Sequence, residues 1–179
     1  SMGWGDRLAG FYAASTTEHY VGLDPRKENH PIYHKQSEFY EKHLGFFEND
    51  KTAEFHISPA EDFDFSKWNE YFDVVFTSPP YFSVERYSYD DTQSWVRYKN
   101  IDDWNAEFLH KTLEKIIPTV KKGGIIAINI ADVYTNSKSS SKLFNFVFND
   151  VQEKLIKKHP KAVNWCGSTA LCGIIANHN

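Results

Sequence analysis

The spacing of hydrophobic positions changes period along the chain, and each change predicts an element. Leu8, Ala9, Phe11, Tyr12, Ala13 and Ala14 follow a helical pattern. His19-Tyr20-Val21-Gly22-Leu23-Asp24 is a short β-favouring run closed by an Asp-Pro step. A helical pattern returns over residues 34–48 at Phe39, Tyr40, His43, Leu44 and Phe47, with Gly45 and Asn49-Asp50 as its stop. Ala53 to Ile57 alternates as a strand. Val74, Val75 and Phe76 make a short apolar run bounded by Pro79-Pro80, the pattern of a buried strand that ends abruptly. Trp104, Phe108, Leu109, Leu113, Ile116 and Ile117 predict an amphipathic helix over 101–120. Asp102 and Asp103 are its N-cap candidates, and Lys121-Lys122-Gly123-Gly124 its end. Ile125 to Ile130 then reads as a central, fully buried strand. A further amphipathic helix is expected over Leu143 to Ile156, and one more strand near Leu171 to Ala176. Strand-helix units in succession imply an α/β sheet.

Composition narrows the class. The 179 residues suit one domain with a real core, expected to span 1–179 with no separate recognition domain. Aromatic residues make up 16%, a globular composition. Net charge is −4, so a nucleic-acid partner would need a local patch; the lysines at 154, 157, 158 and 161 read first as a solvated helix end. Cys166 and Cys172 lack metal-ligand spacing, the histidines at 30, 34 and 43 have no Cys or Asp array beside them, and no metal is expected. There is no signal peptide, apolar span or lipidation motif, which makes a cytoplasmic protein the default.

The candidate chemistry sits where strands end. Each proline in Ser78-Pro79-Pro80-Tyr81 fixes its own φ and lacks an N–H, and residues before proline avoid helix. The stretch is therefore a stiff, extended turn offering a hydroxyl, carbonyls and one aromatic ring. An exocyclic amine on a nucleobase is a poor nucleophile, because its lone pair is delocalised into the ring. Two acceptors aimed at its N–H bonds, Ser78 Oγ and the Pro79 carbonyl, would draw the nitrogen toward a tetrahedral shape. Tyr81 would stack on a base extruded from the duplex. The plain alternative is a Pro-Pro turn that merely caps a strand. Upstream, Gly3-Trp4-Gly5 precedes a helical pattern, and Asp24 ends a strand about twenty residues later, the spacing of a ribose-binding carboxylate in dinucleotide folds. Between Phe82 and Asn100 a loop rich in Tyr, Ser, Asp, Arg and Trp has no clear period. It reads either as a cover over the site or as an ordinary surface excursion.

Thr77-Ser78-Pro79-Pro80-Tyr81 resembles the catalytic motif of the S-adenosylmethionine (SAM)-dependent DNA amino-methyltransferases, Asp/Asn/Ser-Pro-Pro-aromatic, and its Ser form is most similar to the N4-cytosine enzymes. Gly3-x-Gly5 resembles that family's glycine-rich loop, and Lys121 to Gly124 before an apolar run resembles the approach to its fifth strand. The resemblance implies a Rossmann-like α/β sheet with helices on both faces. It implies SAM as cofactor, held by Gly3, Gly5 and Asp24, with the backbone near Ala60 and either Glu61 or Asp62 at the adenine. It implies Ser78, Pro79, Pro80 and Tyr81 as the catalytic turn and DNA with a flipped target base as partner, with a separate recognition subunit or domain supplying sequence choice. In the family an apolar strand leads into the glycine loop, so the chain is expected to lack that first strand and to be an excerpt; Ser1-Met2 reads equally as native or as a cloning remnant. N6-adenine is the nearest alternative target. A non-catalytic SAM-fold subunit, and methylation of RNA or of a protein amide, complete the set.

Overall fold

The computed structural model describes residues 2–43 and 51–130, and the backbone of two later strands at 162–166 and 172–176. The chain divides into two compact units, Ser1–Phe63 and Asp64–Asn179. Parallel strands joined through helices make the fold α/β and Rossmann-like.

In the first unit, α1 (Asp6–Ala13) leads to β1 (His19–Leu23), then a 3₁₀ turn (Lys27–Asn29), α2 (His30–His43) and β2 (Thr52–His56). β1 and β2 pair in parallel, from His19 opposite Thr52 to Leu23 opposite His56. The core is Met2, Leu8, Phe11, Tyr12 and Tyr33, with Tyr20, Tyr40, Ala53 and Phe55 against it. Burial of each such side chain contributes roughly 1.5–3 kcal/mol. Met2 is thus structural: its thioether lies over Gly22, where an added Cβ would come within 2.4 Å of Sδ. Lys51 closes the far end of α1, its ammonium donating to the carbonyls of Phe11 (3.0 Å), Tyr12 (3.2 Å) and Ala14. A cation at a helix C-terminus meets both the orphan carbonyls and the negative end of the dipole. α2 starts at His30, four residues before the sequence pattern indicates, with Pro31 in its first turn, where the missing N–H costs nothing. The end expected at 44–48 lies outside the described residues.

In the second unit, β3 (Phe72–Thr77) is followed by Ser78-Pro79-Pro80-Tyr81 and a segment containing the short helix α3 (Ser94–Arg97). A contiguous helical run then comprises α4 (Ile101–Asp103), wider π-helical turns (Trp104–His110), α5 (Lys111–Ile116) and a closing 3₁₀ turn (Ile117–Thr119). β4 (Val120–Ile128) pairs in parallel with β3 and antiparallel with β6 (Cys172–Ala176), which pairs antiparallel with β5 (Ala162–Cys166). Trp104, Phe108, Leu109, Leu113, Ile116 and Ile117 pack with Ile126, Ile128 and Ile130, so the periodic face of the run covers one face of the sheet.

Several expectations change here. The N-cap is Asn100, whose Oδ1 accepts from the Asp103 N–H (2.8 Å) while its Nδ2 donates back to Asp103 Oδ2 (2.6 Å). Asp103 is the acidic third residue of a reciprocal cap and not the cap itself. The helical run is stopped by Pro118, and Thr119 Oγ1 donates to the Ile116 carbonyl (2.7 Å). Lys121 to Gly124 consequently belong to β4. The register slips between the Phe72–Val120 and Val74–Ile125 pairs, and Gly123 at φ 81° takes up the irregularity. β3 and β4 are not buried on both faces: Val75, Ile126 and Ile128 face the core cluster, while Val74 (58%) and Phe76 (43%) are exposed, as is Ile125. β5 is an additional strand, and β6 fits the one expected near 171–176. The Ser137–Ser141 loop, the Leu143–Ile156 helix and its lysine-rich end lie outside the described residues.

Candidate functional site

The first unit gathers Gly3, Gly5 and Asp24. Gly3 (φ 64°) and Gly5 (φ 99°) both occupy the left-handed region, and Gly5 is the N-cap of α1. A Cβ on Gly5 would lie 2.1 Å from Gln36 Oε1, and one on Gly3 2.7 Å from Arg7 Nη1. The loop's carbonyls are turned to the protein's own donors: Tyr33 hydroxyl to Gly3 O (2.6 Å), Gln36 Nε2 to Gly5 O (3.3 Å), and Ala9 N to Gly5 O (2.9 Å). Burial pushes the Tyr33 hydroxyl up to about 12, so it remains a donor across the physiological range.

Asp24 follows β1 and is buried. Its N–H donates to the His56 carbonyl (3.1 Å), and its own carbonyl accepts from His30 Nε2 (2.9 Å). Oδ1 accepts the Arg26 N–H (3.0 Å) and Oδ2 the Met2 N–H (3.2 Å). The Asp-Pro turn is thus realised, and the same carboxylate ties the entry of the glycine loop to the end of β1. Each carboxylate oxygen carries a second lone pair, the capacity a ribose diol requires. Ala60, Glu61 and Asp62 lie beyond the end of the neighbouring parallel strand β2, in a turn in which Asp62 N donates to the Pro59 carbonyl (3.3 Å). Glu61 is buried and Asp62 exposed, which distinguishes the two acids that the sequence leaves equivalent. Cβ-intolerant glycines beside a buried carboxylate, with further groups past the next parallel strand, fit a nucleoside-bearing cofactor at the strands' carboxyl ends.

The second unit carries Ser78, Pro79, Pro80 and Tyr81 directly after β3. Thr77 is held in the sheet by its carbonyl, which accepts from Asn129 N (2.8 Å), and Pro79 is buried. The chain reverses at once: Phe82 N donates to the Pro80 carbonyl (2.9 Å) and Val84 N to the Tyr81 carbonyl (3.1 Å). Phe82 sits at φ 47°, a left-handed conformation that costs a non-glycine residue roughly 1–2 kcal/mol. Its ring is held edge-on to Trp104 at 6.2 Å, and Tyr81 also rests against the core while staying partly exposed. Strain kept in place by packing beside a stiff turn is a mark of a constrained site.

Glu85 is a residue that motif reasoning missed. Its Oε2 accepts the Tyr81 N–H (2.9 Å) and its Oε1 the Tyr87 hydroxyl (2.6 Å), so one carboxylate fixes the motif's aromatic residue and the start of the following loop. The available signal was an acid four residues after the motif tyrosine. Tyr33 and Gln36, the struts of the glycine loop, share α2 only because it begins at His30; the pattern over 34–48 leaves Tyr33 outside the expected helix.

Among the described residues, no His/Cys/Asp/Glu group is disposed to hold a metal ion, and no helix is long and apolar enough to cross a membrane. A sequence profile described as a DNA methylase matches residues 72–168, a span that includes Ser78 to Tyr81. Among solved structures, a Corynebacterium glutamicum protein from a structural genomics programme is similar over 98% of this chain and 81% of its own, with a TM-score of 0.52 at 12% identity. A Methanococcus maripaludis protein, provisionally described as an S-adenosyl-L-methionine-dependent methyltransferase, aligns over 97% of this chain and 83% of its own (TM-score 0.45, 11% identity). The antibiotic-resistance methyltransferase Kmr aligns over 96% and 92% (TM-score 0.42, 10% identity). Comparison with curated proteins finds no significant match.

Proposed function

The chain belongs to the DNA methylase family, and from that premise we propose that it methylates the exocyclic amine of a DNA base, with N4 of cytosine as the target. It is a SAM-dependent methyltransferase. The observation that carries the finer reading is Ser78-Pro79-Pro80-Tyr81 as a stiff turn at the carboxyl end of β3, inside the matched span.

Gly3, Gly5 and Asp24 hold the cofactor, helped by the Ala60–Glu61 backbone and by Glu61 or Asp62. When bound, SAM supplies a methyl group on a positively charged sulfonium, which leaves as a neutral thioether. Ser78 Oγ and the Pro79 carbonyl accept the amine's two N–H bonds and localise its lone pair. Tyr81 stacks on the extruded base, its backbone fixed by Glu85. Holding the amine in line converts an encounter into a local step, the chief source of rate available here. Ser78 is a weak base, so the amine's surplus proton passes to water.

The test is mass spectrometry of nucleosides from the DNA of a methylation-free host expressing the complete gene, beside its Ser78→Ala form. N4-methylcytosine that vanishes in the variant supports the reading. N6-methyladenine that vanishes would correct the base, and no modified base in either would refute the proposal. Calorimetry should show Ser78→Ala binding SAM as tightly as the native chain.

A further inference from the structure

The segment after the catalytic turn is built around Trp95. Arg86 Cζ lies 5.0 Å and Lys99 Nζ 5.4 Å from its ring centroid, within cation–π range. Tyr89, 83% exposed, meets the same ring edge-on at 5.3 Å. Trp95 Nε1 donates to the Ser88 carbonyl (3.0 Å), which fixes the indole plane, and Arg86 Nε donates to the Ser83 carbonyl (3.1 Å). Arg97 Cζ, at the end of α3, lies 5.3 Å from the Tyr98 ring, so a third cation also sits beside an aromatic ring. Asp90 is turned into the segment's own turn, accepting from Ser88 Oγ (3.0 Å); Asp91 is exposed. Glu85 joins the segment to the turn through Tyr81 N and Tyr87 Oη.

We propose that Arg86, Tyr89, Trp95 and Lys99 form a stacking and phosphate-binding platform for the DNA strand that carries the target base, next to the extruded nucleotide. Three considerations select this occupant. Cations interleaved with an exposed ring, Tyr89, and a half-buried one, Trp95, suit a strand that offers phosphates and base faces alternately. A chain with a net charge of −4 must draw DNA through individually placed side chains, and here Arg86 and Lys99 are exposed while Glu85 and Asp90 are turned to partners within the segment. The platform is also continuous with the catalytic turn through one carboxylate, so it receives the nucleotides flanking the one that turn holds. The inference rests on the proposed DNA amine methylation and adds to it a contact that no motif specifies.

The test compares steady-state methylation of DNA by the complete protein with that of Trp95→Ala, Trp95→Phe and the exposed pair Arg86→Gln/Lys99→Gln. Trp95→Ala is expected to raise KM for DNA about tenfold, the loss of one stacked base, and Trp95→Phe to recover most of it. The charge pair should raise KM and flatten its log–log salt dependence by about 1.8, two duplex phosphates at about 0.9 each. SAM affinity by calorimetry should stay within about twofold in every variant, which separates a lost contact from a lost fold. KM and salt slope unchanged in all three would overturn the platform while leaving the function standing. If the native protein methylates no DNA, the proposed function fails. The platform is then judged by anisotropy of a short fluorescein-labelled single strand: binding lost in the variants supports it, and no binding refutes it. Equal or tighter binding of RNA of the same sequence would overturn DNA as the partner.

Discussion

Gly5→Ala tests the glycine loop most directly. The residue sits at φ 99°, where an alanine is strained by roughly 1–2 kcal/mol. Its Cβ would lie 2.1 Å from Gln36 Oε1 and 2.9 Å from Gln36 Cδ, so the amide must move. Moving it gives up bonds to the Gly5 carbonyl (3.3 Å) and the Tyr40 hydroxyl (3.2 Å), each worth about 0.5–1.5 kcal/mol. The total is roughly 2–5 kcal/mol, with two outlets. A loop that keeps its shape shows the cost as lost stability, a fall in Tm of roughly 4–20 °C for a chain of this size. A loop that relaxes loses the proposed cofactor-binding conformation, and SAM affinity falls by roughly thirtyfold to a few thousandfold. Thermal unfolding and SAM calorimetry on the same preparation should together account for the whole. Gln36→Ala in the Gly5→Ala background should cost little more than Gly5→Ala alone, because the bonds it removes are already lost and the strained φ is untouched. An alanine at Gly5 that left both Tm and SAM affinity at native values would refute the reasoning.

Gly10→Ala is the counterpart: Gly10 is an exposed residue of α1 with nothing within 4 Å of an added Cβ, so the change should stabilise by about 0.5–1 kcal/mol and raise Tm. Glu85→Ala should lower kcat for methylation at least tenfold with SAM affinity unchanged, because it frees Tyr81 and leaves the first unit alone; Glu85→Gln, which still accepts a hydrogen bond, should restore much of the rate. Asn100→Ala removes the cap of the helical run and should cost about 1 kcal/mol by denaturant titration. Burial raises Tyr12, Tyr20 and Tyr33 from 10 to about 12. Between these values the unfolded chain has released protons that the folded chain retains, so stability should be level below pH 10 and fall as pH rises toward 12. Denaturant midpoints that held steady through that window would contradict the burial assigned to these rings.

The parts of the fold that were legible in the sequence are those where a local pattern meets a long contact. Trp104 to Ile117 pack on the sheet as their period indicates, because the helix face and the apolar strand were both written locally. The reading failed where two devices compete for one role. Lys121 to Gly124 look like a helix end, yet Pro118 had already ended the run, and the glycines serve a slipped register instead. Asp102 and Asp103 look like caps, yet the run begins at Ile101 and Asn100 caps it through the Asp103 N–H. Val74 and Phe76 read as buried because an apolar run does not say how many faces of a sheet are covered. At the site, glycines, acid and Pro-Pro turn were visible as types and spacings. What holds them was not: Tyr33, Gln36 and Glu85 act through single hydrogen bonds that no periodicity encodes.

The glycine loop is shaped almost wholly by residues that come after it. Met2 is tied to Asp24, Gly3 to Tyr33, Gly5 to Gln36, and the far end of its helix to Lys51, separations of 22, 30, 31 and up to 40 residues. During synthesis, this loop emerges before the residues that shape it and is therefore among the last parts of its unit to acquire a shape. At about 5–20 residues per second it waits for several seconds with its glycines free. On the proposed role of the loop, SAM binding would begin only once Lys51 has cleared the ribosome, which would make cofactor capture by stalled nascent chains of graded length a clock for the folding of this unit.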